Sequence, residues 1–275
     1  VDLASILELE DIGDDRWRAW TPPAARLPNS FIFGGQVAAQ ALRAGALTVA
    51  PEHRPNSVHG YFLRRGQADR PLDIHVERVR AGRTYTSRQI DVRQEDKTIF
   101  AMLASFHADE PGPEFDHAMP GGVPDPESIA APVEEFQWGS GVEVRHVMVE
   151  GPTVQWWGRV PPPFPSDPVM HFCALLYASD LRAMGAAAAA IGFGFPQRAA
   201  PDAEGEWRRD FGNFGSLDHA VWYHRPPVVD DWFFCDVRPL TVRDSRGLVL
   251  GRMFDAGGRH LATFTQEMFL KVGPP

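Results

Sequence analysis

The chain lacks most of the features that announce a cofactor or metal enzyme. Only two cysteines, Cys173 and Cys235, occur in 275 residues, and they stand in no C-x-x-C or zinc-type spacing. A disulfide framework is not expected, and both are read as reduced, partly buried thiols. There is no H-E-x-x-H and no glycine-rich loop of Walker or Rossmann type, so neither a metal nor a dinucleotide cofactor is implied. There is no G-x-S-x-G elbow either, which leaves a serine-nucleophile hydrolase little support. Apolar runs such as Ala186 to Ile191 are far too short to span a bilayer, and the stretch from Val1 to Glu10 has neither a basic start nor a long apolar core. A soluble cytoplasmic protein with no integral membrane association is the expectation. Cationic excess is missing too: the net charge of −9 argues against nucleic-acid partners and anionic membrane surfaces. An anionic small-molecule ligand would need a local basic patch.

What is present is a repeat. Tyr61-Phe62-Leu63-Arg64 returns 161 positions later as Trp222-Tyr223-His224-Arg225. At the same offset, with no net insertion, Lys97-Thr98-Ile99-Phe100-Ala101 matches Gly258-Arg259-His260-Leu261-Ala262. Self-similarity of this kind reads as two fused copies of one unit. A content of 44% hydrophobic and 23% charged residues is ordinary globular usage, enough for a sizeable core.

The first unit, 1–108, opens with Asn29-Ser30-Phe31-Ile32-Phe33-Gly34-Gly35 and a helical stretch from Gln36 to about Val49, whose small residues Ala38, Ala41 and Gly45 allow a sheet to approach closely. Strand-like segments follow at Ser57 to Leu63, Leu72 to Val79, Tyr85 to Arg93 and Thr98 to Phe106, with Gln94 to Lys97 as a hairpin loop. Residues 109–140 are rich in proline, glycine and acidic residues, the composition of a linker. The second unit, 141–275, begins with strands at Val142 to Glu150 and Thr153 to Val160. Ser166-Asp167-Pro168 supplies an N-cap and a proline for a helix whose apolar positions run from Met170 to Met184. A loop from Ala186 to Glu206 leads to strands at Ser216 to His224, Trp232 to Leu240, Gly247 to Phe254 and His260 to Met268. Each unit is thus a central helix followed by an antiparallel sheet that wraps it. The fold class is α+β, a double hot dog.

Three polar residues fall where chemistry is possible. Asp180 borders the apolar face of the second helix; it is either a solvated edge residue or a buried carboxylate whose pKa would rise and whose burial needs a reason. Strand alternation puts Gln266 on the same face as Ala262, Phe264 and Met268, either as a structural amide or as a site residue. At the repeat offset its counterpart is Ser105, so only the second unit keeps an amide. Ser216, after Asn213-Phe214-Gly215, is either a turn serine or a hydroxyl aimed at the helix. Asp218 and His219 invite a triad reading that the missing elbow disfavours. Gly34-Gly35 permits close packing and also offers free N–H groups to an anion or carbonyl oxygen. Trp156, Trp157, Trp222 and Trp232 read as core or pocket walls.

Taken together, the chain resembles the type II acyl-CoA thioesterases, fused double hot dogs, almost end to end. The resemblance rests on Phe33-Gly34-Gly35-Gln36-Val37, His59-Gly60-Tyr61-Phe62-Leu63-Arg64-Arg65-Gly66, Ala104-Ser105-Phe106, Leu176-Tyr177-Ala178-Ser179-Asp180-Leu181, the run from Ser216 to Pro226, and Thr265-Gln266-Glu267. It implies hydrolysis of fatty acyl-CoA to fatty acid and CoA, with water activated by a general base and held by Asp180, Ser216 and Gln266. Ser216 stands where the family pattern has threonine. It keeps the oxygen but not the methyl that restricts the rotamer. The resemblance implies no cofactor beyond the CoA of the substrate, and it implies assembly into a homo-oligomer. Arg64, Arg65, Arg88 and Arg225 are available for phosphate contacts. Two rivals are a hot-dog enoyl-CoA hydratase, faintly suggested by Asp167 and His171, and a non-catalytic acyl-CoA binding protein.

Overall fold

The structure is a computed structural model that describes residues 2–25, 31–130, 141–192 and 213–271. The chain begins with a short helix α1 (Leu3–Ile6), capped by Asp2 Oδ1 accepting from the Ala4 N–H at 3.0 Å. Strands β1 (Glu10–Gly13) and β2 (Arg16–Ala19) follow. Helix α2 (Gly34–Ala46) is built from small and aliphatic residues and is buried over most of its circumference. That composition lets the sheet close around it: a Cβ added at Gly45 would lie 3.2 Å from Ile90. Strands β3 (His53–Phe62), β4 (Leu72–Ala81), β5 (Tyr85–Gln94) and β6 (Lys97–Ala108) complete the first half.

The second half contains β7 (Glu143–Val147), β8 (Val154–Arg159), α3 (Pro168–Ser179), α4 (Ala183–Ala190), β9 (Asn213–Ser216), β10 (Asp218–Tyr223), β11 (Phe233–Arg243), β12 (Arg246–Asp255) and β13 (His260–Lys271). Helix α3 starts as its sequence predicts, with Asp167 Oδ1 accepting from the Val169 N–H at 3.0 Å and Pro168 in the first turn. From Met170 to Ser179 every residue is buried, as befits a helix that is apolar all round.

All thirteen strands form one antiparallel sheet, in the order β1-β2-β4-β5-β6-β3-β10-β13-β12-β11-β8-β7, with β9 also on β13. The halves meet where β3 pairs with β10, with Ser57 opposite Trp222, His59 opposite Ala220 and Tyr61 opposite Asp218. The first and last of these pairs exchange under the 161-residue repeat, and the middle pair maps on itself. A pseudo-two-fold axis therefore passes between His59 and Ala220. The architecture is the expected double hot dog, with α2 packed on α3 inside the curve of the sheet.

Several expectations are corrected. The repeat carries one inserted residue. Val92 pairs with Phe100 but Met253 pairs with Ala262, so β13 is offset from β6 by one position more than β12 is from β5. The longer Asp255–Gly258 hairpin absorbs it. The counterpart of Gln266 is then the buried Ala104 and not Ser105. The second helix does not continue to Met184: it stops at Ser179, and the alanines expected in a loop form α4. The N-terminal elements α1, β1 and β2 had no sequence signal. The strand expected from Val142 to Glu150 is trimmed to β7. Trp222 is an exposed outer-face residue, whereas Trp156 is core and Trp157 and Trp232 join Phe234 and Phe254 in a second cluster on the other face. Asn29, Ser30 and the acidic stretch from Asp202 to Glu206 lie outside the described residues.

The proline-rich stretch up to residue 130 drapes over that second cluster through Met119, Val123 and Ile129. It is tied down by Trp157 Nε1 donating to Pro124 O at 3.0 Å and by Arg225 paired with Glu114 and Asp116 at 2.9 and 2.6 Å. Among the described residues no helix is long and apolar enough to cross a membrane.

Candidate active site

The end of α3 meets the beginning of α2. Helix α2 has Phe33 as its N-cap, which offers no side-chain acceptor, so its first-turn N–H groups need a partner from elsewhere. Asp180, the C-cap residue of α3, provides one: its carboxylate accepts from the Gly35 N–H. The positive end of the α2 dipole thus faces a carboxylate. Both glycine readings hold, and the anion that the N–H meets is the protein's own. A Cβ on Gly34 would lie 2.8 Å from Asp180 Oδ2, and one on Gly35 would lie 2.6 Å from the Tyr177 carbonyl oxygen.

Asp180 is buried, which removes the reading of it as a solvated edge residue. Desolvation pushes its carboxyl from the ordinary 3.8 up to about 7, against the downward pull of hydrogen bonds from the Gln266 amide and the Gly35 N–H. Gln266 reaches it from the inner face of β13. Its Nε2 donates to Asp180 Oδ1 at 2.6 Å and to Ser216 Oγ at 2.6 Å. Both amide hydrogens are then used, and Gln266 Oε1 stays buried with no donor among the described residues. Ser216 ends β9, just before Leu217 interrupts the pairing between β9 and β10 along β13. That irregularity turns its hydroxyl toward Gln266 and leaves it part-exposed.

The structure therefore brings Asp180, Ser216 and Gln266 together. It separates the tempting triad. Asp218 accepts from the Glu267 N–H at 2.8 Å and pairs with His59 at 3.0 Å, while His219 bonds to Ser179. Asp167 caps α3, and His171 Nδ1 accepts from the Val229 N–H at 3.1 Å, so the pair suggestive of a hydratase is committed to holding the helix start. Of the four arginines, Arg88 is buried and donates to Thr48 Oγ1 at 2.6 Å and to three backbone carbonyls. It is not open to a phosphate. Arg225 holds the draped segment, Arg64 bonds to the Thr98 carbonyl, and Arg65 lies over the Phe31 ring. The cysteines are buried, with desolvation pushing the Cys173 thiol up to about 12.

The pseudo-symmetric position in the first half is differently occupied. Arg88 is cross-strand partner to Ala104 just as Val249 is to Gln266. Where the second half has a carboxylate, an amide and a hydroxyl, the first has a guanidinium plugged into the end of α2. Among the described residues the first half therefore has no second such site. A surface cleft of about 510 Å³ between the Pro113–His117 stretch and His224, Arg225 and His260 includes none of its residues. Among the described residues no group of three His, Cys, Asp or Glu is placed to hold a metal ion.

The fold is a double hot dog, with one buried carboxylate at a helix N-terminus bonded to an amide that also bonds a hydroxyl. The particular family follows from comparison with known proteins. Residues 23–107 match the profile of the acyl-CoA thioesterase N-terminal domain, and residues 105–270 that of the C-terminal domain. Acyl-CoA thioesterase 2 of Haemophilus influenzae is 30% identical over 98% of this chain and 97% of its own length. Acyl-coenzyme A thioesterase 8 of Mus musculus is 29% identical over 99% and 89%. The solved tesB protein of Mycobacterium avium subs paratuberculosis superimposes with a TM-score of 0.81 at 33% identity, covering 99% of this chain and 98% of the other. The chain belongs to the acyl-CoA thioesterase family and is a thioester hydrolase.

Proposed function

We propose that this protein hydrolyses fatty acyl-CoA to free fatty acid and CoA, using a water molecule held by Asp180, Ser216 and Gln266. The observation that carries this reading is the buried Asp180 carboxyl, pushed up to about 7 and set 2.6 Å from the Gln266 amide. A base works best when its pKa lies near the working pH, and burial has moved this carboxylate there. Ser216 accepts from Gln266, so its own hydrogen is free to donate to the water. Gln266 Oε1 and the Asp180 carboxylate can each accept one of the water's hydrogens, which directs an oxygen lone pair at the thioester carbonyl.

The steps balance without a covalent intermediate. Asp180 takes a proton from water as the oxygen bonds to the carbonyl carbon. The tetrahedral species collapses with cleavage of the C–S bond, and the proton on Asp180 goes to the departing CoA sulfur. No cofactor enters beyond the CoA of the substrate. Residues 1–108 and 141–275 act as the two hot-dog units and 109–140 as their connection. Assembly into a homo-oligomer belongs to the same reading, to be measured by light scattering. Direct attack by water is tested by quenching the reaction with acid in its first turnovers. Intact-protein mass spectrometry should show no acyl adduct and thiol release no burst, and an adduct would replace the held-water route with an acyl-enzyme.

A further inference from the structure

His219 is a buried, titratable group beside the site that the proposed hydrolysis does not use. His219 lies on the inner face of β10. The register that pairs Ala220 with Thr265 and Val221 with Phe264 puts it opposite Gln266, and its ring packs 5.5 Å from that of Phe264. Its Nε2 is 2.7 Å from Ser179 Oγ, on the residue that precedes Asp180.

The hydrogen positions in this contact follow from counting. Ser179 has one hydroxyl hydrogen, and it is directed at the Leu176 carbonyl, 2.7 Å away, which can only accept. Toward His219 the serine oxygen must therefore accept, and His219 must carry its hydrogen on Nε2. Nδ1 is left as a buried lone pair with no donor among the described residues. Desolvation keeps the ring neutral by pushing its pKa down to about 4. The charged or titratable groups around it are Asp218 on the same strand, His59 on β3 and, beyond Ser179, Asp180 and Tyr177 on α3.

The mechanical consequence concerns α3, whose helical run ends at Ser179; α4 begins only at Ala183. Asp180 sits in the gap, where no continuing helix holds it. Beside the Gly35 N–H of α2, two adjacent strands do so: β13 through Gln266 on the carboxylate, and β10 through His219 on the residue before it. We propose that His219 is a positioning residue for thioester hydrolysis, its Nε2–H holding Ser179 Oγ so that Asp180 stays seated at the N-terminus of α2.

This inference rests on Asp180 being the base, so the test measures both. Thiol release is followed across pH for wild type, Asp180→Asn, His219→Leu, His219→Gln and Ser179→Ala, with thermal melts alongside. With the bolt gone, Asp180 relaxes toward solvent. His219→Leu should lose about 10²-fold in kcat, the scale of a misplaced catalytic group, with KM little changed. Its rising pH limb should move below that of wild type, toward the ordinary carboxylate range, which a loss of stability alone would not cause. His219→Gln, which restores an N–H donor, should recover most of the rate and the wild-type limb. If His219→Leu does not fold, Ser179→Ala, a one-atom deletion, should show the same shift in milder form. An unmoved limb with near wild-type kcat in Ser179→Ala, beside a collapsed Asp180→Asn, would overturn the positioning role alone. An active Asp180→Asn would overturn the base on which it rests.

Discussion

Asp180 Oδ1 and Gln266 Nε2 lie 2.6 Å apart, although 86 positions separate them and they come from different layers, one from a helix end and the other from the sheet. The contact joins the end of α3 to the middle of β13, where both groups are buried. A charge placed there interacts far more strongly than at the surface, and its environment sets its pKa.

The pH dependence of rate follows first. If ionised Asp180 is the active form, kcat/KM should rise with pH through an apparent pKa of about 7 and then level off. A limb near 4 would mean that the working carboxylate is solvated.

Stability should respond to the same group in the opposite sense. Because the folded pKa of about 7 lies above the ordinary 3.8, the folded state binds the extra proton. The stability this group contributes is whole below about 4 and declines as pH rises to about 7. Asp180→Asn lacks that decline. In urea melts the mutant should gain on wild type across this window and keep a constant lead above it.

Gln266→Glu tests the amide. A second carboxylate in contact with Asp180 Oδ1 disfavours ionisation of both. The rising limb should move well above 7 and the rate at neutral pH should fall by at least tenfold, whereas Gln266→Ala, which removes only the hydrogen bond that lowers the Asp180 pKa, should lower the rate and raise the limb by less.

Gly35→Ala should cost about 1–3 kcal/mol, the usual penalty of overpacking, because the new methyl meets the backbone carbonyl of Tyr177 and the Phe33 ring. Gly34→Ala meets the Asp180 carboxylate at 2.8 Å and should therefore lower activity more than stability. Denaturant midpoints measured beside kcat separate the two.

Much of this arrangement was legible in the sequence because it is periodic. The repeat announces two fused units, alternation puts Gln266 inward, and Asp167-Pro168 starts α3 where expected. What was not legible depends on contacts between distant segments. One inserted residue in a hairpin shifts the counterpart of Gln266 from Ser105 to Ala104, a change of sheet face that no local pattern reveals. The break at Asp180 carries no proline or glycine; the residue is held by α2, β13 and, through Ser179, β10. Arg88 reads as a surface charge until Thr48 and the strand carbonyls supply its partners. The signal for His219 was adjacency: it lies three residues after Ser216 and, with Asp218, in the run from Ser216 to Pro226 that carries the family resemblance.

The most direct test of the central claim is thiol release, followed with a disulfide reagent, from acyl-CoAs of short, medium and long chain, comparing wild type with Asp180→Asn at pH 8. Wild type should release CoA, and Asp180→Asn should be slower by about 10²–10⁴, the usual loss when a general base is removed. Equal release by both proteins, with both folded, would contradict the account.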